Sequence, residues 1–162
     1  MIVYHGSSVQ IPQPDLKHTR RNVDFGPGFY TTTLLEQAEK WAERFKDTGE
    51  GAYINRYQLD EKKMKSLKIL RFEGYNEDWL DFIVACRRGQ DHTDYDIVIG
   101  GVANDKVFNT VQLYFKGYVD KNVAIKRLRY EKPNLQICLR TEKALQCLTY
   151  EGSTRKGVEE VK

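Results

Sequence analysis

The feature that most limits the fold of this chain is the shortness of its apolar runs. Ile2–His5, Tyr95–Ile99 and Leu135–Leu139 are only four or five residues long, which is the length of single strands. Between such runs lie segments with apolar residues three and four positions apart, the spacing of an amphipathic helix. Short strands with interspersed helices, without a regular strand–helix–strand series, predict an α+β fold.

The chain length and composition predict one soluble domain. A chain of 162 residues typically forms a single domain, which we expect over residues 1–151, with residues 152–162 as a frayed tail because they lack apolar periodicity. No apolar run approaches the ~20 residues that span a bilayer, and the first residues do not form a secretory leader. The odd number of cysteines, without a close pair, argues against disulfides and a zinc site. We therefore expect a cytoplasmic protein without a metal.

Apolar periodicity also places the individual elements. Besides the three runs above, we expect strands at Tyr53–Leu59, at Leu67–Phe72 and after the turn that begins Phe25–Thr33. Helices are expected at Leu34–Phe45, around Trp79–Cys86, at Val107–Phe115, at Val123–Leu128 and after Thr141. Residues 9–23 are polar and contain two prolines, so we expect a surface loop.

The charge distribution does not identify a partner. The net charge is +3, and the whole surplus lies in the second half of the chain. One cluster of cations stands out, Lys126, Arg127, Arg129 and Lys132. This cluster suits a solvated helix face or a patch that contacts phosphates, and the sequence leaves both interpretations open.

The first segment that could carry chemistry is Tyr4-His5-Gly6-Ser7. A strand here ends in a histidine that is followed at once by a glycine. Without a side chain at Gly6, its backbone N–H and C=O can meet a planar ligand, while the imidazole can bond a hydroxyl. The alternative interpretation is an ordinary strand end followed by a turn.

The second segment, Gly26-Pro27-Gly28-Phe29-Tyr30-Thr31-Thr32, is a turn that leads into a strand. Period-two alternation puts Tyr30 on the opposite face from Phe29, so one ring packs inward and the other can face a cleft. Trp41 follows on the next helix. A tyrosine and a tryptophan facing each other would form a stacking slot for an aromatic cation, although both rings could equally belong to the core.

In this order, Y-H-G-S, F-G-x-G-F-Y-T-T and A-x-x-W resemble the NAD-binding half of ADP-ribosyltransferases of the diphtheria-toxin and poly(ADP-ribose)-polymerase type. The full pattern is most similar to a small bacterial family of unknown function in the same clan, whose members are suspected toxins of toxin–antitoxin pairs. The resemblance covers about the first 45 residues and returns near residues 134–140. It implies a split β-sheet core with peripheral helices, and NAD as a substrate.

The resemblance also implies roles for single residues. His5 would bond the adenosine ribose, the Gly6 backbone would hold the nicotinamide carboxamide, and Tyr30 would stack on the nicotinamide ring. Trp41 would flank the other face of that ring, where relatives usually have tyrosine. Ser7, Gly28 and Thr31 complete the expected NAD contacts.

The third motif of the family is a strand with a glutamate that bonds the nicotinamide-ribose 2′-hydroxyl, and here Gln136 stands in its place. A second departure is Ala38, where polymerase relatives have serine. Glutamine supplies only a dipole near the developing positive charge of the sugar, which predicts slow bond breaking and the transfer of a single ADP-ribose unit. Three acids could assist it, or could equally be structural: Asp105, Asp96 and Glu142.

The implied function is that of a mono-ADP-ribosyltransferase with a protein or nucleic-acid acceptor and a small antitoxin as partner. Two alternatives stay open, an NAD glycohydrolase and a catalytically weak module that binds NAD or ADP-ribose. The loop of residues 9–23 joins the two NAD motifs, so the resemblance implies that it is a lid or faces the acceptor. Its Arg20 and Arg21 could meet the pyrophosphate or could simply be solvated. The sequence does not indicate the acceptor, the antitoxin or the oligomeric state.

Overall fold

A computed structural model describes residues 1–17, 24–47, 51–103 and 105–156, without the side chain of Asp105. The strands are β1 (Ile2–Ser7), β2 (Phe29–Thr31), β3 (Ala52–Leu59), β4 (Ile69–Arg71), β5 (Ile97–Gly101), β6 (Leu135–Leu139) and β7 (Leu148–Lys156). The helices are α1 (Leu35–Glu43), α2 (Glu61–Met64), α3 (Glu77–Arg87), α4 (Asp105–Phe115), α5 (Lys121–Leu128) and α6 (Glu142–Leu145). The α+β prediction is confirmed.

The strands form two sheets that are joined at one point. The first sheet has the order β1-β3-β7 and is antiparallel throughout. The second has the order β2-β6-β5-β4, in which only β4 and β5 run parallel. An isolated bridge between Tyr4 of β1 and Thr32 links the two, with N–O distances of 2.8 and 3.0 Å. Beyond this bridge β1 continues without a further bridge to β2 within the described residues, which opens a gap between the sheets.

Alternating side chains divide the molecule into layers. Val3 and Tyr57 of the first sheet pack with Ile99 and Ile137 of the second, so this cluster lies between the two sheets. The opposite face of the second sheet packs against α3, α4 and α5. The opposite face of the first sheet packs against α1. Because strand residues alternate between these layers, each polar residue on β1, β2 or β6 has a definite side.

The structure corrects three expectations. Residues 152–156 are not a frayed tail but belong to β7, which pairs with β3 along its length; residues 157–162 lie outside the described residues. The first strand does not break at Gly6 but continues to Ser7. Leu34 is 43% exposed and precedes α1, so it does not join the apolar face of that helix.

The described part of the predicted lid, residues 9–17, is held against the first sheet. Asn55, which is fully buried on β3, accepts a hydrogen bond from the Ile11 N–H at 2.9 Å and donates one to the Val9 carbonyl at 3.2 Å. Tyr57, also on β3, donates its hydroxyl hydrogen to the Ile11 carbonyl at 2.6 Å. These three bonds fix the first turn of the loop beside the gap between the sheets.

Candidate functional site

A cleft of about 1380 Å³ occupies the gap where the two sheets part. Its lining includes seven of the candidate residues, which come from four separate segments: His5, Gly6, Ser7, Gly28, Tyr30, Trp41 and Gln136. The volume exceeds the roughly 300–1,000 Å³ of ordinary ligand pockets. The sequence motifs that are distant along the chain therefore meet at one site.

The free edge of β1 faces this cleft at Gly6. Tyr4 uses its N–H and C=O toward Thr32, away from β3, so Tyr4 is a non-hydrogen-bonded position of the β1–β3 ladder. Because such positions alternate in an antiparallel pair, the N–H and C=O of Gly6, two residues further along, also point away from β3. One donor and one acceptor in the same short stretch of backbone match the two polar atoms of a primary carboxamide.

Gly6 also lets α1 approach the first sheet. A Cβ at this position would lie 2.5 Å from the Ala38 carbonyl oxygen and 2.8 Å from the Ala42 nitrogen. The two alanines are fully buried against β1, so any side chain at Gly6 would push the helix outward. Since Trp41 stands next to Ala42, the close packing at Gly6 also sets how near this indole lies to the cleft.

The imidazole of His5 is fixed in one orientation. Its Nδ1 lies 2.5 Å from the Tyr30 carbonyl oxygen, and its ring stacks on Phe29 with centroids 4.1 Å apart. A carbonyl can only accept, so Nδ1 carries the proton and Nε2 keeps a lone pair. Burial is the main reason why the pKa of His5 is lowered to about 4, and the positive charge of Arg44 adds to it. At neutral pH the ring is therefore uncharged and can accept a hydrogen bond at Nε2.

The ring of Tyr30 is held by the turn that precedes it. Its hydroxyl donates to the Gly26 carbonyl at 2.6 Å and accepts from the Phe25 N–H at 2.9 Å. Burial raises the pKa of this phenol well above its usual value, so it stays neutral. With the hydroxyl engaged, what Tyr30 offers the cleft is its ring.

Trp41 lines the same cleft from α1, and it is only partly buried. Within the described part of the chain the indole has no ring partner and no hydrogen bond. Tyr30 and Trp41, the two walls of the predicted slot, thus line the same cleft, and their rings do not stack on each other.

Gln136 is the most informative residue of the cleft. It is 3% exposed and lies on β6 on the same face as Cys138, which is paired directly with Tyr30. Its Nε2 is buried without a hydrogen-bond partner among the described residues. Leaving such a donor unpaired costs about 1–3 kcal/mol, and native proteins rarely accept this cost without a functional reason. The arrangement suits a ligand that brings a hydrogen-bond acceptor to this position.

The remaining candidates differ in their positions. Ser7 and Gly28 line the cleft, and a Cβ at Gly28 would collide with the Cys138 sulfur, which explains the glycine by packing between β2 and β6. Thr31 is fully buried on the other face of β2, where its hydroxyl donates to the Ile137 carbonyl at 2.9 Å. We therefore remove Thr31 from the candidate NAD contacts.

The acids proposed to assist Gln136 do not gather around it. Asp96 accepts hydrogen bonds from the Lys68 N–H and the Thr141 hydroxyl, and it does not line the cleft. Glu142 lies in the first turn of α6, also away from the cleft. The side chain of Asp105 is outside the described residues, as are Arg20 and Arg21. The described carboxylates that line the cleft are Asp15 and Asp24.

The sequence model of the family described as "Protein of unknown function (DUF3990)" matches residues 1–150. The chain belongs to the DUF3990 family. No curated protein matches it. The matched range contains every described residue of the cleft, so the site lies within the part that defines this DUF3990 protein.

Sequence reasoning missed the far wall of the cleft in this DUF3990 chain. Phe108, Gln112 and Phe115 of α4 line it, together with Arg87 at the end of α3. A signal was present, because α4 has two apolar stripes where one would serve the core. Val107 and Val111 form the stripe that is fully buried. Phe115 extends that stripe and packs against the same core, whereas Phe108 lies beside it and indicates a second face.

The described residues contain neither a helix that is long and apolar enough to cross a membrane nor a group of three or more side chains that could hold a metal ion.

Proposed function

We propose that this chain is a mono-ADP-ribosyltransferase that breaks the nicotinamide–ribose bond of NAD and transfers ADP-ribose to a macromolecular acceptor. The observation that carries the proposal is the buried, unpartnered Nε2 of Gln136 in a cleft shared with His5 and Tyr30. The two separate sheets and the order of the motifs support a split-sheet ADP-ribosyltransferase core. The proposal explains why aromatic rings line the cleft and why the N–H and C=O of Gly6 point away from β3 at this place.

We expect the nicotinamide end of NAD beside Gly6, Tyr30 and Trp41, which all line the cleft. Its planar ring would lie between Tyr30 and Trp41, where stacking and cation–π attraction favour the positively charged pyridinium. The carboxamide would exchange two hydrogen bonds with the N–H and C=O of Gly6. Because the Tyr30 ring is held through its hydroxyl, the leaving group is fixed before the reaction rather than during it.

We expect the adenosine ribose beside His5, which also lines the cleft. The neutral His5 ring presents Nε2, a hydrogen-bond acceptor, and a ribose hydroxyl can donate to it. Arg44 also lines the cleft, at the end of α1, close enough for its charge to affect His5. A cation there suits the negatively charged pyrophosphate, which the sequence analysis also considered for Arg20 and Arg21, outside the described residues.

Gln136 would contact the nicotinamide ribose. When the glycosidic bond breaks, positive charge develops on the sugar, and a hydroxyl oxygen held by the amide keeps the ribose in one orientation. An amide lacks the full negative charge of a carboxylate, so we expect slow turnover. Weak activation of an incoming hydroxyl likewise favours the transfer of one unit rather than the growth of a chain.

The same residue favours a second candidate function. A cleft with glutamine in the position of the glutamate could bind NAD or ADP-ribose without cleaving it. In that case the Nε2 of Gln136 would still find its acceptor on the ligand. Binding and bond cleavage must therefore be measured separately.

The test is release of free nicotinamide from NAD by the purified chain, with and without cell extract. Release that requires extract and disappears in Tyr30→Ala supports a transferase, and the labelled component of the extract names the acceptor. His5→Ala tests the proposed ribose contact. His92→Ala is its matched control, because His92 lies outside the cleft. Equal release without extract would indicate a glycohydrolase. NAD binding without release would indicate the binding module, and the absence of both would overturn the proposal.

On the strength of the family resemblance, we also propose an intracellular toxin held by a small antitoxin protein. Induced expression of the chain alone should arrest bacterial growth, whereas Tyr30→Ala should not. Arrest by both proteins at equal expression would contradict a toxic role for the cleft.

A further inference from the structure

Helix α4 presents to the cleft a face that the proposed NAD contacts do not use. Phe108, Gln112 and Phe115 lie four and three residues apart, so they share one side of the helix, and all three line the cleft. Val107 and Val111 occupy the side that packs in the core. Phe115 also packs against that core, whereas Phe108 is not part of it. The side of α4 that carries Phe108 and Gln112 is therefore additional to what the helix needs for folding.

This face is aromatic and is stiffened by arginines. The Arg87 guanidinium lies 5.0 Å from the centre of the Phe108 ring, and that of Arg88 lies 5.1 Å from the Phe115 ring. Arg87 is itself paired with Asp24, with an N–O distance of 2.6 Å and both side chains mostly buried. Phe108 is nevertheless 44% exposed. Its position is thus fixed while part of its ring surface stays open.

The size of the cleft allows a second occupant beside NAD. Its 1380 Å³ exceeds the roughly 300–1,000 Å³ that ordinary small-molecule pockets provide. The NAD contacts proposed above come from β1, β2, α1 and β6. The α4 face forms a different wall of the same cavity, where an acceptor could approach the ribose.

The chemistry of the α4 face favours a planar, uncharged group with polar edges. None of its three cleft-lining side chains is charged. The nearby Arg87 is already neutralised by Asp24, which makes the wall poorly suited to hold an acidic or a basic protein side chain. Phenylalanine rings stack on nucleobases, and a glutamine amide between them can donate to and accept from a base edge.

The surface next to this wall suits a polyanion. Residues 101–133, which contain α4 and α5, hold seven Lys/Arg and three Asp/Glu, a surplus of four in a chain whose net charge is +3. Only Lys121 of the seven is engaged by a described ion pair, with Glu77 and Asp81. Tyr118 and Tyr130, on either side of α5, are 75% and 84% exposed. Cations interleaved with exposed aromatic rings are typical of surfaces that bind single-stranded nucleic acid.

We propose that the ADP-ribose acceptor is a base of a single-stranded nucleic acid, held against Phe108 and Gln112; this inference rests on the transferase function proposed above. In the reaction, the bond between C1′ of the ribose and the nicotinamide nitrogen breaks, and its electron pair leaves with nicotinamide. A nitrogen of the base forms the new bond to C1′, and its proton goes to the solvent. The products are an ADP-ribosylated base, nicotinamide and a proton.

The experiment has two arms that use the full chain. In the first, binding of fluorescent random-sequence RNA and DNA 20-mers is measured by anisotropy, without NAD. Phe108→Ala and Gln112→Ala should each weaken binding, the former about tenfold because a stacking contact is lost. Asn109→Ala is the matched control, since Asn109 lies on the same helix, is exposed and does not line the cleft. Binding should also weaken steeply with salt.

In the second arm, NAD labelled in its adenylate part is incubated with the chain and fragmented cellular RNA, DNA or protein. Label on one of the nucleic acids, lost in Phe108→Ala and kept in Asn109→Ala, supports the inference and tells RNA from DNA. Label on protein alone, or tight oligonucleotide binding that survives both cleft variants, overturns it. Nicotinamide release with an unlabelled nucleic acid would overturn the inference while leaving the cleavage of NAD intact. The absence of both NAD binding and nicotinamide release would overturn the proposed function itself.

Discussion

Two buried amide side chains, Asn55 beneath the loop at Val9–Ile11 and Gln136 in the cleft, differ in their hydrogen bonding. The Asn55 oxygen accepts from the Ile11 N–H at 2.9 Å and from the Ser153 hydroxyl at 2.6 Å, and its nitrogen donates to the carbonyls of His5 and Val9. Gln136 is buried almost as fully, yet its Nε2 has no partner in the part of the chain that the structure describes. The polar atoms of the first amide are used within the fold, whereas the second keeps a buried donor without a partner among the described residues.

This difference predicts that stability and function depend on different amides of the same molecule. Removing the Asn55 side chain leaves several backbone groups of the fold unpaired, so its substitution should lower the free energy of unfolding. Removing the Gln136 side chain takes away a donor that was already unpaired, so its substitution should lower activity and change the free energy of unfolding little. The predictions below test that separation, from the largest expected effect to the smallest.

Asn55→Ala should lower the free energy of unfolding by about 3 kcal/mol, because the four hydrogen bonds of a fully buried side chain are lost. Chemical denaturation measures this loss. The exposed β3 residue Gln58 provides the control, Gln58→Ala, which should change stability by less than about 0.5 kcal/mol. Equal stability of the two variants would remove the distinction on which the comparison depends.

Tyr30→Ala should reduce nicotinamide release about 100-fold, since the leaving ring loses one wall and its fixed geometry. Tyr30→Phe keeps the ring and removes only the hydroxyl that bonds Gly26 and Phe25. We expect this variant to retain most of the activity while the turn becomes less stable. An inactive, folded Tyr30→Phe would show that the hydroxyl, and not the ring, serves the reaction.

The pH dependence of stability should report the buried imidazole. The pKa of His5 is lowered from 6.5 to about 4 in the folded chain, so between these values the unfolded state binds more protons. The free energy of unfolding should therefore keep its full value above pH 6.5 and fall as the pH drops toward 4. We expect a decrease of about 2 kcal/mol, given the partial exposure of the ring to the cleft. Thermal denaturation from pH 8 to pH 4 measures it.

The control for this titration is the pair of variants His5→Ala and His92→Ala. Only the former should flatten the fall in stability between pH 6.5 and pH 4. NAD affinity should stay constant from pH 8 to pH 5.5, because His5 remains neutral throughout that range. A drop in affinity centred on pH 6.5 that His5→Ala abolishes would show that the ring is charged in the free chain.

Gln136→Leu should lower nicotinamide release about tenfold, while stability changes by less than about 1 kcal/mol, because no existing partner loses its bond. Gln136→Glu should keep or raise the rate, since a carboxylate places full negative charge near the sugar. Gln58→Leu is the control at an exposed strand position. A folded Gln136→Glu without any activity would show that this position is not the third motif.

Elements with strong periodicity could be predicted from the sequence. Strand β6 and helix α1 were, because β6 is a short run of buried residues and α1 repeats its buried residues at the helical interval. The end of β7 could not be, since it is a mostly exposed edge strand of polar residues whose pairing depends on β3. Helix α2, with four residues, is too short to show a period.

The candidate site divides in the same way. Tyr30, Trp41 and Gln136 could be named as candidates because their motifs are local in the sequence, and all three line the cleft. The roles of Asn55 and of the α4 face were missed, since each depends on contacts that the fold brings together over long distances, such as Asn55 with the loop at Val9–Ile11. Thr31 was misplaced because a motif does not say which face of a strand a residue occupies.

Calorimetric titration of NAD into the purified chain tests the central claim most directly. The account predicts binding at a single site, weakened tenfold or more by Tyr30→Ala and by Gln136→Leu but unchanged by Gln58→Leu. Absence of binding at millimolar NAD, or equal affinity in all four proteins, would contradict the assignment of the cleft.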